Sequence, residues 1–422
     1  MTIIDHKNVE ENRNSYVLFF YFVFLIIEAN IDVPVIYGAI SIGVVIVAAF
    51  WSNKGIVKIP EYHLLNSSIK VFIVYIVFTL VVTFFNMPYE YSNFMFDGIK
   101  SFIATVIIIF TVFLCVSVNV NWIKFYLLIR NFGGILSVIG VIETLSKSYI
   151  MYHIFGFIRP FSVAYEKNSQ FRTCLWFLHP SVAAFFFLVT IILCVYLPFK
   201  KQLVNYFVLS MLSICIYGTK TRGVWLSVFV VIIFFFIGKR KISTKIKKDN
   251  VFRSLLFLLV FVGLMYLERK RVQLILETII DYLKLVLYDT SYVSRTVRVE
   301  NTKNVFNYLL QEPIYAVFGR GLGFGRKFSA LNGVTLSYGA VWSAGIDNQY
   351  LTTILETGII NCIIFIVLAI NSFNKFYKTE NVIIKIGALV VIVVCMVSVF
   401  YETLSWHVLI FLLCAGLFSQ DG

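Results

Sequence analysis

The sequence predicts an all-α, polytopic membrane protein with about twelve transmembrane helices and one large outer loop. Three observations carry that prediction. The 422-residue chain is 59% hydrophobic and only 14% charged, against roughly 45–50% apolar for a soluble domain. Its apolar residues fall in runs near the roughly 20 residues that span lipid. Its Lys and Arg residues gather at alternate ends of those runs. With 43 Phe and a mean hydropathy of +0.87, the chain cannot hide its apolar side chains in one aqueous core. In lipid every backbone N–H and C=O must be satisfied within the chain, which selects helices.

In order, the runs are 16–31, 33–51, 68–86, 98–120, 122–145, 173–197, 202–217, 223–238, 251–267, 350–371, 382–400 and 403–418. With both termini in the cytoplasm, the inner segments hold Lys7, Arg13, Lys54, Lys58, Lys70, Lys124, Lys200, Lys201, the run KRKISTKIKKDN (239–250) with Arg253, and Lys375, Lys378 and Lys385. The outer turns 28–32, 87–97 and 401–402 hold no Lys or Arg, which is the positive-inside pattern. Residues 1–267 then form helices one to nine, 268–349 the outer loop, and 350–422 the last three helices. Within the loop, 269–289 and 294–313 carry apolar residues at three-to-four spacing. They read as a lid of amphipathic helices lying on the outer face. The polar start MTIIDHKNVEENRNS lacks the layout of a cleavable signal peptide, so the first run is expected to be retained.

The net charge is +14, from 36 basic and 22 acidic residues. Its spread along the inner segments argues against nucleic acid as a partner; the run 239–250 reads as an anchor at anionic lipid. Three outer segments break the pattern. Segment 146–172 holds Lys147, Arg159, Lys167 and Arg172; the turn GTKTRG (218–223) holds Lys220 and Arg222; segment 268–349 holds ten Lys or Arg. Outward cations close to the membrane point to an anionic substrate. The seven Cys are scattered, mostly inside apolar runs, with no metal-ligand spacing. No metal or cofactor is expected.

Five stretches carry the candidate chemistry. FRTCLWFLHPSVAAFFF (171–187) sets Arg172 before a helix, with His179-Pro180 expected about one and a half turns inside it. Arg172 is an interfacial anchor or a bidentate phosphate partner. YGTKTRGVWLSV (217–228) joins two helices through Thr219, Lys220, Thr221 and Arg222, with Trp225 expected at interface depth. The turn is an ordinary connection with snorkelling cations or an anion cradle at a helix start. SRTVRVE (294–300) puts Arg295 and Arg298 on one helix face, by default a solvated one. FGRGLGFGRK (318–327), with Gly319, Gly321, Gly323 and Gly325, looks like a phosphate loop but follows no strand. It reads better as a backbone turn approaching another chain or a ligand. DNQYLTTILETGIIN (347–361) begins with Asp347, a good N-cap, followed by Asn348 and Tyr350. Gly358 permits close helix contact. Inside the spans, Arg130 and Glu143 flank Gly133-Gly134, and buried ionisable groups are costly and often functional.

In this order these pieces resemble the O-antigen ligase and O-antigen polymerase superfamily of membrane glycosyltransferases, mainly over residues 165–360. RTCLWFLHPS looks like the family's Arg-then-Asn-Pro helix start, with His179 in place of Asn. TKTRGVWL is similar to its Thr-x-Ser-Arg-Gly-x-Trp element, with Thr221 in place of Ser. SRTVRVE resembles the start of its large loop, EPIYAVFGRGLGFG its Pro-then-Gly-x-Gly stretch, and DNQYLTTILETGIIN its His-Asn-x-Tyr-Leu…Glu-x-Gly segment. Ligases of the superfamily carry His where this chain has Asp347, which favours a polymerase.

The resemblance implies a GT-C-like fold and a donor glycan on undecaprenyl diphosphate at the outer leaflet. On that chemistry Arg172 and Arg222 are the candidate clamp on the leaving diphosphate, with Arg295 or Lys220 in support, and Asp347 is the candidate base. Lys220, Arg295, Arg298, Asn348, Tyr350, Gly321, Gly323 and His179 are then candidate substrate contacts. The lipid bilayer and a chain-length-regulating co-polymerase are candidate partners. A lipid-linked oligosaccharide flippase is the rival from another class. Transporters, however, tend to show internal repeats and midplane charges, whereas here the cations gather at the outer interface.

Overall fold

The computed structural model describes residues 3–28, 67–90, 93–117, 120–155, 171–177, 179–238, 293–332, 334–335, 341–342, 346, 348–401 and 407–421. The runs 33–51 and 251–267, the basic run 239–250 and the amphipathic stretch 269–289 lie outside the described residues. The other ten apolar runs coincide with helices. These are α1 (Ile3–Glu28), α2 (Ser67–Glu90), α3 (Asn93–Ser117), α4 (Trp122–Ser146), the short α5 (Ile150–Phe155), α6 (Pro180–Tyr196), α7 (Gln202–Thr219) and α8 (Arg222–Gly238). The loop adds α9 (Val293–Gln311), α10 (Pro313–Phe318), α11 (Phe324–Leu331) and a two-residue antiparallel ladder, β1 (Val334–Thr335) with β2 (Val341–Trp342). Then come α12 (Gln349–Lys378), α13 (Val382–Val397) and α14 (His407–Phe418). Among the described residues, five helices are long and apolar enough to cross a membrane, and five more are apolar but shorter.

Two kinds of helix sort the bundle. Helix α6 is buried all round, from Pro180 to Cys194, and α13 is buried from Lys385 to Cys395. A helix apolar on every side belongs at the centre. Around it, α2, α4, α7 and α12 bury one side and leave a stripe of large apolar residues outside: Phe84 and Phe85 on α2, Ile135 and Leu145 on α4, Phe207 on α7, Ile363 and Ile370 on α12. A soluble protein would carry polar residues there. An apolar core inside an apolar exterior is what a lipid solvent requires.

The run that starts at residue 350 is not one span. Gly358 has φ 79° and ψ 173°, a conformation essentially closed to residues with a Cβ. The chain folds back on itself there. Tyr350 and Phe365 are fifteen positions apart, about 22 Å along a straight helix, yet their ring centroids are 5.6 Å apart. Residues 349–357 therefore form an arm lying alongside 359–378, and the latter stretch alone is about 30 Å long, enough to span. The carbonyls exposed by the kink are used: Leu355 O accepts from Arg320 N (2.9 Å) and Glu356 O from Gly321 N (2.7 Å). On its other side the arm packs Ile346, Leu351 and Leu355 against Val305, Phe324 and Phe328 of the loop. The loop helices and the arm thus share one small core. Helix α9 is less one-sided than its spacing suggests, since it buries Val305 but exposes Phe306 and Leu310.

A Cβ at position 358 would lie 1.9 Å from Val317 O. Gly358→Ala therefore meets both a forbidden backbone and an occupied space. The backbone part alone costs on the order of 1–3 kcal/mol. The expected result in detergent-purified protein is a lower melting temperature and faster tryptic cleavage within 313–331. A variant as stable as the wild type would show that the arm is not folded back.

Candidate functional site

The site is built around a short non-helical turn, 171–177. The sequence places His179 inside a helix; instead α6 begins at Pro180, and 171–177 stays irregular. Proline favours the first turn of a helix and disfavours helical backbone just before it. Thr173 N donates to Gly218 O (3.0 Å), and the hydroxyls of Thr173 and Thr144 are 2.7 Å apart. These bonds fasten the turn between the ends of α4 and α7. Arg172 then reaches the connection between α7 and α8. Its Nε donates to Thr219 O (2.9 Å) and its Nη2 to Thr221 Oγ1 (3.2 Å). The two bonds fix the guanidinium plane and leave Nη1 without a hydrogen bond among the described residues.

That connection is only two residues long. Thr219 ends α7, Lys220 is left-handed (φ 53°), and Arg222 opens α8. A left-handed residue after the last helical turn is a usual way to stop a helix, though it is more often Gly or Asn. The turn therefore brings Arg172, Lys220 and Arg222 to one place. The side chain of Arg222 is outside the described part of the structure. Trp225 is buried. Its Nε1 donates to Ile216 O (3.3 Å), and its ring stacks on Tyr217 at 6.2 Å.

His179 caps α6: its Nδ1 accepts from Ser181 N at 3.2 Å. An Asn carboxamide oxygen would do the same, which explains how His can stand where the resemblance expects Asn. An accepting Nδ1 places the ring proton on Nε2 and requires a neutral ring. Burial, with the nearby Arg172 charge as the lesser cause, pushes the His179 pKa down from 6.5 to about 4. The unfolded chain therefore binds a proton there before the folded chain does, and stability falls as pH drops from about 6.5 toward 4. In His179→Asn the cap is kept and that part of the pH slope in melting temperature should vanish. An unchanged slope would mean that the ring is not held neutral.

The connector after α13 joins this turn to the foot of the arm. Ser398 O accepts from Gln349 N (2.9 Å). Two residues on, Phe400 lies 2.8 Å from where a Gly223 side chain would begin, and the Tyr401 ring is 6.4 Å from the His179 ring. Ser398 and Phe400 are at most about 7 Å apart along the chain. One short connector thus touches the arm foot on one side and the Arg172 turn on the other. At the arm foot the helix cap is Asn348, whose Oδ1 accepts from Tyr350 N (3.0 Å) and Leu351 N (3.2 Å). This corrects the sequence expectation that Asp347 caps the helix. Asp347 itself lies outside the described residues, between the buried Ile346 and the cap. The Tyr350 hydroxyl donates to Cys395 O (2.9 Å) and so ties the arm to α13.

The glycine run lies at the other end of the arm, about 10 Å from Gln349 by helix rise. Gly319, Gly321 and Gly323 all have positive φ, and a Cβ at Gly323 would sit 2.0 Å from Phe94 O. The turn threads between the start of α3 and the arm. Its amides do hold an anion, but an internal one: Gly323 N (3.0 Å) and Gly325 N (3.3 Å) both donate to Glu356 Oε1. Leu322 N donates to Thr83 Oγ1 (3.2 Å). A cleft beside it is lined by Ser101, Thr105, Arg326, Gln349, Thr352 and Glu356 over Tyr75 and Phe102. Arg295 and Arg298 lie in the first turns of α9; their side chains are outside the described part.

Three residues at the site have partners that the sequence did not assign, Thr219 and Thr221 having been named only as members of the turn and Glu356 only within the Glu-x-Gly resemblance. Thr219 and Thr221 are the partners that orient Arg172, and Glu356 fills the glycine turn. The signal for Glu356 was present, as an acid two residues before a helix-breaking Gly and downstream of a run of alternating glycines. Arg130 belongs elsewhere. It donates from Nη1 to Leu197 O, closing the end of α6, and sits 3.9 Å from the Phe199 ring centroid. Its role is structural.

With this geometry in place, the comparison with known families bears on the same stretch. Residues 206–366 match the O-antigen ligase family. The match runs from α7 to α12. It includes the Lys220–Arg222 turn, the glycine run and the arm, while Arg172 and His179 precede it. Among curated proteins none matches the chain. The likeness covers less than half of the chain and supports a resemblance to the O-antigen ligase-like superfamily, whose members are membrane glycosyltransferase-like enzymes.

Proposed function

We propose that the protein is a surface-polysaccharide polymerase of the bacterial inner membrane. It joins oligosaccharide repeat units carried on undecaprenyl diphosphate at the outer face. The observation that carries the reading is the fixed Arg172 guanidinium beside the Lys220–Arg222 turn, in a chain that matches the O-antigen ligase family over 206–366. An acceptor hydroxyl attacks the anomeric carbon of the donor sugar. The bond from that carbon to the diphosphate oxygen breaks, and the lipid diphosphate leaves with the electron pair. Its growing charge is met by Arg172 and Arg222, with Lys220 in support. Such preplaced donors act where charge develops and need no rearrangement during the reaction. Asp347 takes the proton from the acceptor hydroxyl.

A second reading is a ligase that moves finished polymer to lipid A core. The description of the matched family favours it. Asp347 favours the polymerase, because ligases of the resembled superfamily carry His there. Gene deletion separates the readings. Loss of a polymerase leaves single repeats on the surface lipid; loss of a ligase strands polymer on undecaprenyl diphosphate. Units retained at the cytoplasmic face would instead mark a flippase and end the glycosyltransferase reading.

A further inference from the structure

We infer that Glu143 is the positioning residue for Arg172, a role that rests on the reading of Arg172 as a diphosphate clamp. Glu143 lies near the end of α4 and is fully buried. Its Oε2 accepts from Leu175 N at 3.0 Å, and the Cys174 amide lies against the same carboxylate. Oε1 is buried without a hydrogen bond among the described residues. Leaving such an oxygen in an apolar interior is costly, so the site keeps a carboxylate that packing alone would replace.

The backbone it holds is itself unfavourable. Leu175 has φ 53°, a left-handed conformation rare for residues with a Cβ. In that conformation the turn aims its amides inward at Glu143, and the chain leaves on the other side toward Thr173 and Arg172. The residue next to Glu143, Thr144, meets Thr173 at 2.7 Å. Glu143 and Thr144 together pin both ends of the three-residue stretch that follows Arg172. No hydrogen bond joins Glu143 to Arg172 among the described residues. The carboxylate acts through the turn, by setting where the guanidinium begins.

The test compares Glu143→Gln, which keeps an accepting oxygen, with Glu143→Leu and Glu143→Met, which fill the space and accept nothing. Apolar replacements of buried ionic groups are often tolerated by the fold, and having two of them guards against one that fails to accumulate. The first readout is maleimide labelling of Cys174, which is fully buried in the same turn, mapped by mass spectrometry. The second is affinity for farnesyl diphosphate, a short lipid diphosphate. In the Leu and Met variants we expect labelling of Cys174 about tenfold faster and diphosphate affinity about tenfold weaker, a change of 1.4 kcal/mol. Gln should stay within about threefold of wild type in both. Protected Cys174 in the Leu and Met variants overturns the inference, as does Gln behaving like Leu. Faster labelling with unchanged affinity shows that the turn is held for some reason other than Arg172, and also overturns it. The labelling arm does not depend on the reaction. If wild-type protein ignores farnesyl diphosphate, the clamp reading fails and takes the positioning role with it, whatever the labelling shows.

Discussion

Arg172→Ala and Arg222→Ala should each abolish surface polymer while the protein level in the membrane stays unchanged. Losing one preplaced donor at a developing anion typically costs about 10²–10³ in rate, enough to erase visible polymer. Arg172→Lys is the more telling variant. Arg172 spends Nε on Thr219 O and Nη2 on Thr221 Oγ1, a planar grip in which the remaining nitrogen points in a fixed direction. A lysine ammonium carries the charge but cannot bridge both acceptors while still facing a ligand. Lys at 172 should therefore lose at least about tenfold in transfer rate, and Thr221→Val should lose part of the activity with the charge untouched. Measured as repeat units joined per enzyme in a reconstituted assay, a fully active Arg172→Lys would reduce the residue to a source of positive potential. Normal glycan length from both alanine variants would remove the clamp altogether.

Much of the fold was legible because lipid imposes a simple rule on sequence. Ten of the twelve apolar runs fall on described helices, and two of those runs contain a backbone break. The two breaks are hidden for one reason. Hydropathy counts side chains and does not register backbone breaks inside an apolar window. At 173–179 the window hides a turn, fixed by Pro180 and by hydrogen bonds to Gly218 and Glu143, which are distant in sequence. At 349–358 it hides a fold-back that depends on one glycine. Gly358 was noticed as a small residue, but its positive φ goes with Val317 and Phe318 lying against it, contacts no local pattern contains. The candidate site was legible as residue types in order. Its assembly was not, because the bridge between Gln349 and the Arg172 turn is made by Ser398–Tyr401, a stretch without chemical signature. The glycine run has the composition of a phosphate loop but reads better as a backbone turn in close approach, and it runs against Phe94 of α3 while its amides bond Glu356.

Asp347→Asn should lower transfer by about 10²–10⁴-fold, the usual range for removing a general base, without lowering the melting temperature. Asn348→Ala should do the reverse, costing about 1 kcal/mol of arm stability with a smaller effect on rate. From sequence alone the two roles fell on one residue, since an acid ahead of a helix is both a good cap and a plausible base. The structure separates them. Asn348 makes both cap bonds, to Tyr350 N and Leu351 N, so the helix does not need the charge of Asp347. The arm also changes where that charge is required. Because residues 349–357 run back along 359–378, the foot of the arm lies level with Phe365 rather than at the kink, and Ile346 beside it is buried. Under the proposed reaction the proton acceptor belongs at that foot, where Gln349 meets the connector that reaches the Arg172 turn. The decisive measurement is the pH dependence of transfer at saturating donor. Wild type should lose rate as pH falls through the pKa of a single carboxylate. Asp347→Asn should be slow at every pH and lack that limb, while Asn348→Ala should keep it. An Asp347→Asn variant of full activity would leave the acid with no role at the site.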